Sequence, residues 1–398
     1  MPSVAYGKGS RWRARYVDDQ GREHAKGFGR KADAQNWLNK QVSDQVTGTW
    51  TDPALSGVTF GTIAERWIST KANRSAKTVA GYRSLLDTVV LPRWEDTPLR
   101  DVRYDDLQVW ITGLSVDGSS RFDGKGLSAS RVRQTHQLVG AVFKFAVKAK
   151  HLPTNPAEGI ELPRLPEVEQ QFLTHEQLHR LAIASGRFRT FVLLLGYCGL
   201  RFGEAAALRV GNVDLKTRRI RVSRSVTYVA GKGLVEGATK NHSARSVPVP
   251  RFLAPLLATE MEARDGDALV FPSRRSGYVT LGEVRWVFDP AVKTVRAAAA
   301  AQRQAEIDET GQAQTPEFPV ITPHDLRHTC ASLAISAGAN VKVLQTLLGH
   351  KTATLTLDRY GHLFPDDLGL IADAFDTAAD GLRTTPSLRA ITSTKKLS

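Results

Sequence analysis

A histidine and an arginine stand one helical turn apart at His324 and Arg327. A second histidine, His350, follows a glycine, and a tyrosine, Tyr360, comes ten residues later. Upstream, Arg201 directly precedes the start of a predicted helix, and Lys240 falls in a strand-rich stretch. Two arginines, two histidines, one lysine and one tyrosine are the parts of a phosphate clamp built around a nucleophile. No single member of the set carries that reading; the set does.

Each part has a chemical reason. A phosphodiester under attack gathers negative charge on its non-bridging oxygens, and a guanidinium fork holds such charge bidentately. Arg201 and Arg327 are the two candidates, and the free N–H groups of the helix after Arg201 would also favour an anion. His324 and Arg327, three apart, share a helical face. His350 can hydrogen-bond the same phosphate or help move a proton. Tyr360 is the neighbouring group able to attack in line; its phenol needs nearby positive charge to be activated. Lys240 can protonate a leaving oxygen if surrounding cations lower its pKa. The blander readings stand beside these. Arg201 and Glu204 can form a purely structural ion pair. His324 and His328 have a spacing that permits zinc, but no glutamate or cysteine pair completes a site, so no metal is expected. Cys198 and Cys330 read as core residues.

These side chains need elements to hold them. Thr174 to Gln177 forms a capping box that opens the last domain, expected over 173–365. A hydrophobic helix from Phe188 to Cys198 leads into Gly199, Leu200 and Arg201. Residues 213–250 alternate as short strands. Helices are predicted near 251–264 and over 282–307, and 268–271 reads as a short strand. The loop 309–319, rich in Gln, Thr and Pro, is expected to be mobile. Three helices finish the domain, and a tail over 366–398 holds one amphipathic segment (Leu368, Leu370, Ile371, Phe375).

In front lie further modules. Residues 1–55 read as a β-rich unit with one helix: Arg11 to Val17 alternates charged with apolar residues, a second strand covers Glu23–Phe28, and a helix covers Lys31–Val46. Residues 1–31 hold eight basic and three acidic side chains, and Arg11, Arg13 and Arg15 share one strand face where they can track phosphates. Residues 58–150 read as four helices, with Thr59 and Ser75 as caps and Pro92 ending the second helix. The longest starts at Ser128 or Ser130, has an apolar core stripe, and carries Arg131, Arg133, Lys144 and Lys148 as basic groups able to meet DNA. His136, within it, reads as a packing or surface residue. Four prolines in 151–172 predict an extended linker.

Composition points the same way. The 398 residues hold 54 Lys and Arg against 40 Asp and Glu, a net charge of +14. A polyanionic partner is expected, nucleic acid before an anionic membrane. No apolar run is long enough to span a bilayer. The N-terminus has no secretory pattern, and two cysteines suit a reducing cytoplasm.

Taken together, Gly199-Leu200-Arg201-x-x-Glu204, His324-x-x-Arg327, Leu348-Gly349-His350 and Tyr360-Gly361-His362 resemble the tyrosine recombinase, or phage integrase, family. The resemblance implies a multidomain, mainly α chain with small β-sheets. Its parts would be an arm-binding domain of three strands and a helix, a four-helix core-binding domain, and an α+β catalytic domain. It implies Arg201, Lys240, His324, Arg327, His350 and Tyr360 as the catalytic set, with Glu204 in support and Lys232 as the competitor for the lysine role. It further implies cutting of double-stranded DNA at attachment sites through a 3′-phosphotyrosyl link, without metal, ATP or other cofactor. A homotetramer, a directionality factor and a host DNA-bending protein are the implied partners, in the cytoplasm of a bacterial host. Two other readings stay open: a silent DNA-binding regulator on this fold, and an enzyme that only relaxes or resolves DNA.

Overall fold

A computed structural model describes residues 12–18, 21–48, 50, 52, 57–119, 124–166, 170–239, 244–364, 373 and 375–380. The chain divides into two compact units, 1–168 with 229–233, and 169–228 with 234–398.

The first unit opens with β1 (Trp12–Val17) and β2 (Glu23–Phe28), antiparallel, with Trp12 opposite Phe28 and Val17 opposite Glu23. Alternation along β1 buries Ala14 and Tyr16 and turns Arg13 and Arg15 outward. Helix α1 (Lys31–Val46) packs on this pair, and the Trp50 indole donates to the Tyr16 hydroxyl at 2.7 Å. Two strands are present among the described residues where the resemblance implied three; Arg11 lies outside those residues.

Helices α2 (Phe60–Ser69) and α3 (Ala76–Leu85) start at the expected caps, where Thr59 and Ser75 each accept the N–H three residues on. Pro92 does not end the second helix. A π-turn over Leu86–Val90 carries the chain into α4 (Leu91–Trp94). The proline sits in the first turn of α4, where a missing N–H costs little. α5 (Tyr104–Asp117) and α6 (Ala129–Lys148, capped by Ser128) complete the bundle. Phe60, Trp94, Ile111 and Phe143 are among its core residues. Leu152, Ala157 and Ile160 of the proline-rich stretch join that core, and His136 hydrogen-bonds the Ala157 carbonyl at 2.9 Å. That stretch is therefore anchored along its first half. Lys144 and Lys148 are exposed on α6 and Arg131 is half-buried. Arg133 is also half-buried, its Nε donating to the Pro163 carbonyl at 3.0 Å.

The second unit begins with α7 (His175–Ala184), whose capping box between Thr174 and Gln177 is complete. α8 (Arg189–Cys198) has eight of its ten residues buried, which marks it as the central helix of this core. The short α9 (Phe202–Ala206) follows. β3 (Val213–Asp214), β4 (Arg219–Val222) and the later β7 (Arg245–Pro248) form one antiparallel sheet; β5 (Arg224–Val229) and β6 (Gly233–Ala238) form a second. After α10 (Leu253–Met261), the predicted strand at 268–271 amounts to one bridge, Arg209 to Leu269. α11 (Leu281–Thr310) is followed by α12 (Asp325–Ser336), α13 (Val341–Leu348) and α14 (Thr354–Tyr360).

The loop 309–319 is tied back to α11. The Glu306 carboxylate accepts the N–H groups of Gln314 and Thr315 at 2.8 and 2.7 Å, and the Thr315 hydroxyl at 2.5 Å. Those bonds, led by Thr315, hold its pKa down at about 2. Phe318 is buried beyond them. Composition alone could not reveal this, because the acceptor lies on α11. Among the described residues no helix is long and apolar enough to cross a membrane.

Candidate active site

The C-terminal end of α13 is the centre of the site. A helix ends with carbonyls that have no intrahelical donor, and cations are favoured there. Three arginines from three elements answer three consecutive carbonyls. Arg245, at the start of β7, donates to Leu347 O at 3.0 Å. Arg327, on α12, donates to Leu348 O. Arg201, before α9, reaches Gly349 O at 3.4 Å. Gly349 caps α13 with a left-handed φ of 64°. A Cβ there would lie 2.9 Å from the Arg245 side chain, so a bulkier residue would be strained twice over.

Gly199 does the same for α8. Its φ is 63°, and a Cβ would meet Cys330 and Leu348 at 3.0 Å. Its carbonyl accepts Arg327 Nη1 at 2.6 Å. Arg327 therefore ties the ends of α8 and α13 together while 4% exposed. Burial first, then the neighbouring Arg201, lowers its pKa to about 9.

Glu204 joins two of the arginines. Its carboxylate accepts Arg201 Nη1 at 2.8 Å and the Arg201 backbone N–H at 2.9 Å. It also accepts Arg245 through both terminal nitrogens, at 3.0 and 2.6 Å. Burial raises its pKa, but the Arg245 and Arg201 bonds outweigh that and leave it lowered. Two expectations meet here. The Arg201–Glu204 ion pair exists, as the blander reading had it. The start of α9 is not an open anion seat, because a five-residue helix has little dipole and Glu204 already occupies its first turn.

Tyr360 is the last residue of α14 and is 1% exposed. Its hydroxyl is 2.7 Å from Nδ1 of His328, and its ring lies parallel to that of His350 with centroids 6.4 Å apart. His350 Nδ1 meets the Thr356 hydroxyl at 2.9 Å. His324 is exposed, its ring edge-on to His328 at 5.3 Å. Burial raises the Tyr360 pKa to about 12, against the pull of Arg327 and Arg359. Burial likewise lowers His328 and His350 to about 4, with His324 adding to the first shift and Arg327 to the second. The packed side of its ring, then Arg327, also lowers His324.

These shifts give a pH prediction. Both imidazoles are neutral in the fold at neutral pH and bind protons more readily once unfolded, near the ordinary 6.5. Their contribution to stability is thus complete above about 6.5 and is lost as pH falls towards 4. The thermal midpoint is expected to drop across that window. His328→Phe, which has no proton to gain, should flatten the slope; an unchanged slope in that variant would count against the assignment.

The structure thus brings Arg201, Glu204, His324, Arg327, His350 and Tyr360 into one site. Lys240 lies outside the described residues, between β6 and β7 in the chain; Lys232 is exposed in the turn before β6. Two site residues escaped the sequence reading. Arg245 was legible only as one cation among many in a strand, and His328 only as half of a zinc spacing.

A mostly helical second unit whose arginines and tyrosine meet around one helix end defines the class: the chain belongs to the tyrosine recombinase, or phage integrase, family. Residues 171–366 match the phage integrase family. The chain is 28% identical over 364 residues to the putative prophage phiRv2 integrase of Mycobacterium tuberculosis, covering 88% of each. Among solved structures it resembles the Tn1549 transposon integrase in complex with a circular intermediate DNA, with a TM-score of 0.62 and 20% identity over 82% of this chain and 99% of that one. It also resembles a lambda integrase tetramer bound to a Holliday junction, with a TM-score of 0.53 and 18% identity over 85% and 93%.

Proposed function

We propose that the protein is a site-specific DNA recombinase that integrates and excises a phage or mobile element through a 3′-phosphotyrosyl intermediate. What supports this reading above all is the convergence of two guanidiniums, Arg201 and Arg327, with the phenol of Tyr360, whose pKa responds to Arg327. The scissile phosphate would sit against these guanidiniums and His350, with His324 at its rim. Tyr360 attacks phosphorus; the P–O5′ bond breaks; Lys240 supplies the proton to the leaving oxygen. A 5′-hydroxyl from a partner duplex then reverses the step. One ester replaces another, so bond energy is conserved and neither ATP nor metal is needed. Arg13, Arg15, Arg131, Lys144 and Lys148 would meet phosphates outside the site, with Arg11 and Arg133 alongside them. The Tn1549 integrase in complex with a circular intermediate DNA and the lambda integrase tetramer bound to a Holliday junction support a tetramer on two duplexes here. A directionality factor and a host DNA-bending protein complete the proposed assembly.

The test is a duplex carrying the element's own attachment site, nicked so that the cleaved fragment diffuses away. The protein should become covalently joined to the 3′ end, and peptide mapping should put the adduct on Tyr360. Binding without any adduct would favour a regulator; an adduct without exchange between duplexes would favour a resolving enzyme.

A further inference from the structure

Attack by Tyr360 has to dispose of the phenolic proton. Tyr360 is 1% exposed, so bulk water is not at hand. His350 lies parallel to the phenol and its Nδ1 is engaged with Thr356. His324 faces His328, not the phenol. Among the described residues, His328 alone has a hydrogen bond to the hydroxyl, 2.7 Å from Nδ1, with the ring tilted at 56° to the phenol. Among the described residues the phenol has no second acceptor, so it is assigned as the donor, with the neutral imidazole's own proton on Nε2.

The geometry points to His328 as the group that takes the proton of Tyr360 as its oxygen bonds to phosphorus. This rests on Tyr360 being the nucleophile. The O–H bond breaks as Oη–P forms; the proton passes to Nδ1; the P–O5′ pair leaves with the 5′-oxygen. When a 5′-hydroxyl later attacks the link, the proton on His328 returns to the phenol. Timing follows from magnitudes. At rest burial raises the phenol to about 12 and lowers the imidazole to about 4, so no phenolate forms in advance. Transfer becomes favourable only as the oxygen loses its basicity to phosphorus, which is general-base catalysis concerted with attack. The charged and titratable groups acting on His328 are His324, Asp325 and Arg327 from its own stretch and Arg359 from α14, besides the phenol.

The experiment measures single-turnover attachment to the nicked duplex at saturating DNA. It compares wild type with His328→Phe, which keeps a ring and removes the nitrogens, and with His328→Gln in case the first variant melts early. Each is made with Tyr360 as it is and with Tyr360 replaced by a ring-fluorinated tyrosine of greater acidity. Loss of the base should slow attachment by about 10²–10⁴-fold at unchanged DNA affinity. The fluorinated phenol should recover at least about tenfold of that loss, because a more acidic nucleophile needs its base less. An equal defect with both phenols would make His328 a packing residue only, and no defect would remove it from the chemistry. If Tyr360→Phe in otherwise wild-type protein still attached to DNA, the nucleophile assignment would fail instead.

Discussion

Tyr360→Phe is expected to bind its duplex as wild type does and to attach to it not at all. The fall in attachment should be at least about 10⁴-fold, the scale on which a cooperating set fails when its nucleophile is removed. Phenylalanine fills the same space among Ala331, Ile335, Leu344 and Leu348, so the fold should survive. What disappears is the oxygen and its bond to His328. A buried imidazole nitrogen without a partner costs about 1–3 kcal/mol, which should show as a lower thermal midpoint. Affinity for DNA should stay within about threefold, because the substitution leaves alone the cations proposed to contact phosphate. One other hydroxyl needs attention. Thr356 is on the same helix and held by His350 at 2.9 Å. An adduct that persisted in the phenylalanine variant and mapped to Thr356 would show that the wrong oxygen had been chosen.

How much of this was legible in the chain depends on what kind of contact carries it. Local patterns were readable: Thr59, Ser75 and Ser128 cap their helices, and β1 alternates as its residues suggest. These depend on neighbours within four residues. Residue type and order also single out Arg201, His324, Arg327, His350 and Tyr360, the candidate residues that the fold brings near one another. What the sequence could not supply was any partner distant in the chain. Glu306 fastens a loop that composition marks as loose. Pro92 is carried by a π-turn that no local propensity announces. Arg245 lies 41 residues from Glu204 and 102 from Leu347. His328 shares a hydrogen bond with a residue 32 positions on, and its spacing from His324 suggested a metal instead. For Arg245 and His328 the decisive fact is a tertiary contact, made by side chains that look ordinary on their own element.

Glu204→Ala is expected to destabilise the second unit more than any other single change in the site. The carboxylate is 2% exposed and accepts four hydrogen bonds from Arg201 and Arg245. Alanine would leave two guanidiniums facing each other, one of them with a side chain only 8% exposed. Removing one partner of a buried pair in this way costs about 3–5 kcal/mol, since the charge left behind is uncompensated. For a unit of this size that is a fall of roughly 6–20 °C in thermal midpoint. Glu204→Gln should lie between, because the amide oxygen still accepts but its NH₂ group points donors at donors. The pH dependence has a definite sign. The arginines hold the Glu204 pKa below its ordinary 4.5, so its contribution is present at neutral pH and is lost as acid protonates it. The gap between wild type and Glu204→Gln should therefore close in acid. A paired change makes the cause explicit. Glu204→Ala combined with Arg245→Met removes both charges of the tighter pair and should recover part of the lost stability. Attachment to DNA should stay low in the double variant, because Arg201 has lost the carboxylate that aims it. If Glu204→Ala melted within a degree or two of wild type, the carboxylate would not be what holds these arginines. The three donors at the end of α13 would then have to be positioned by the helix carbonyls alone.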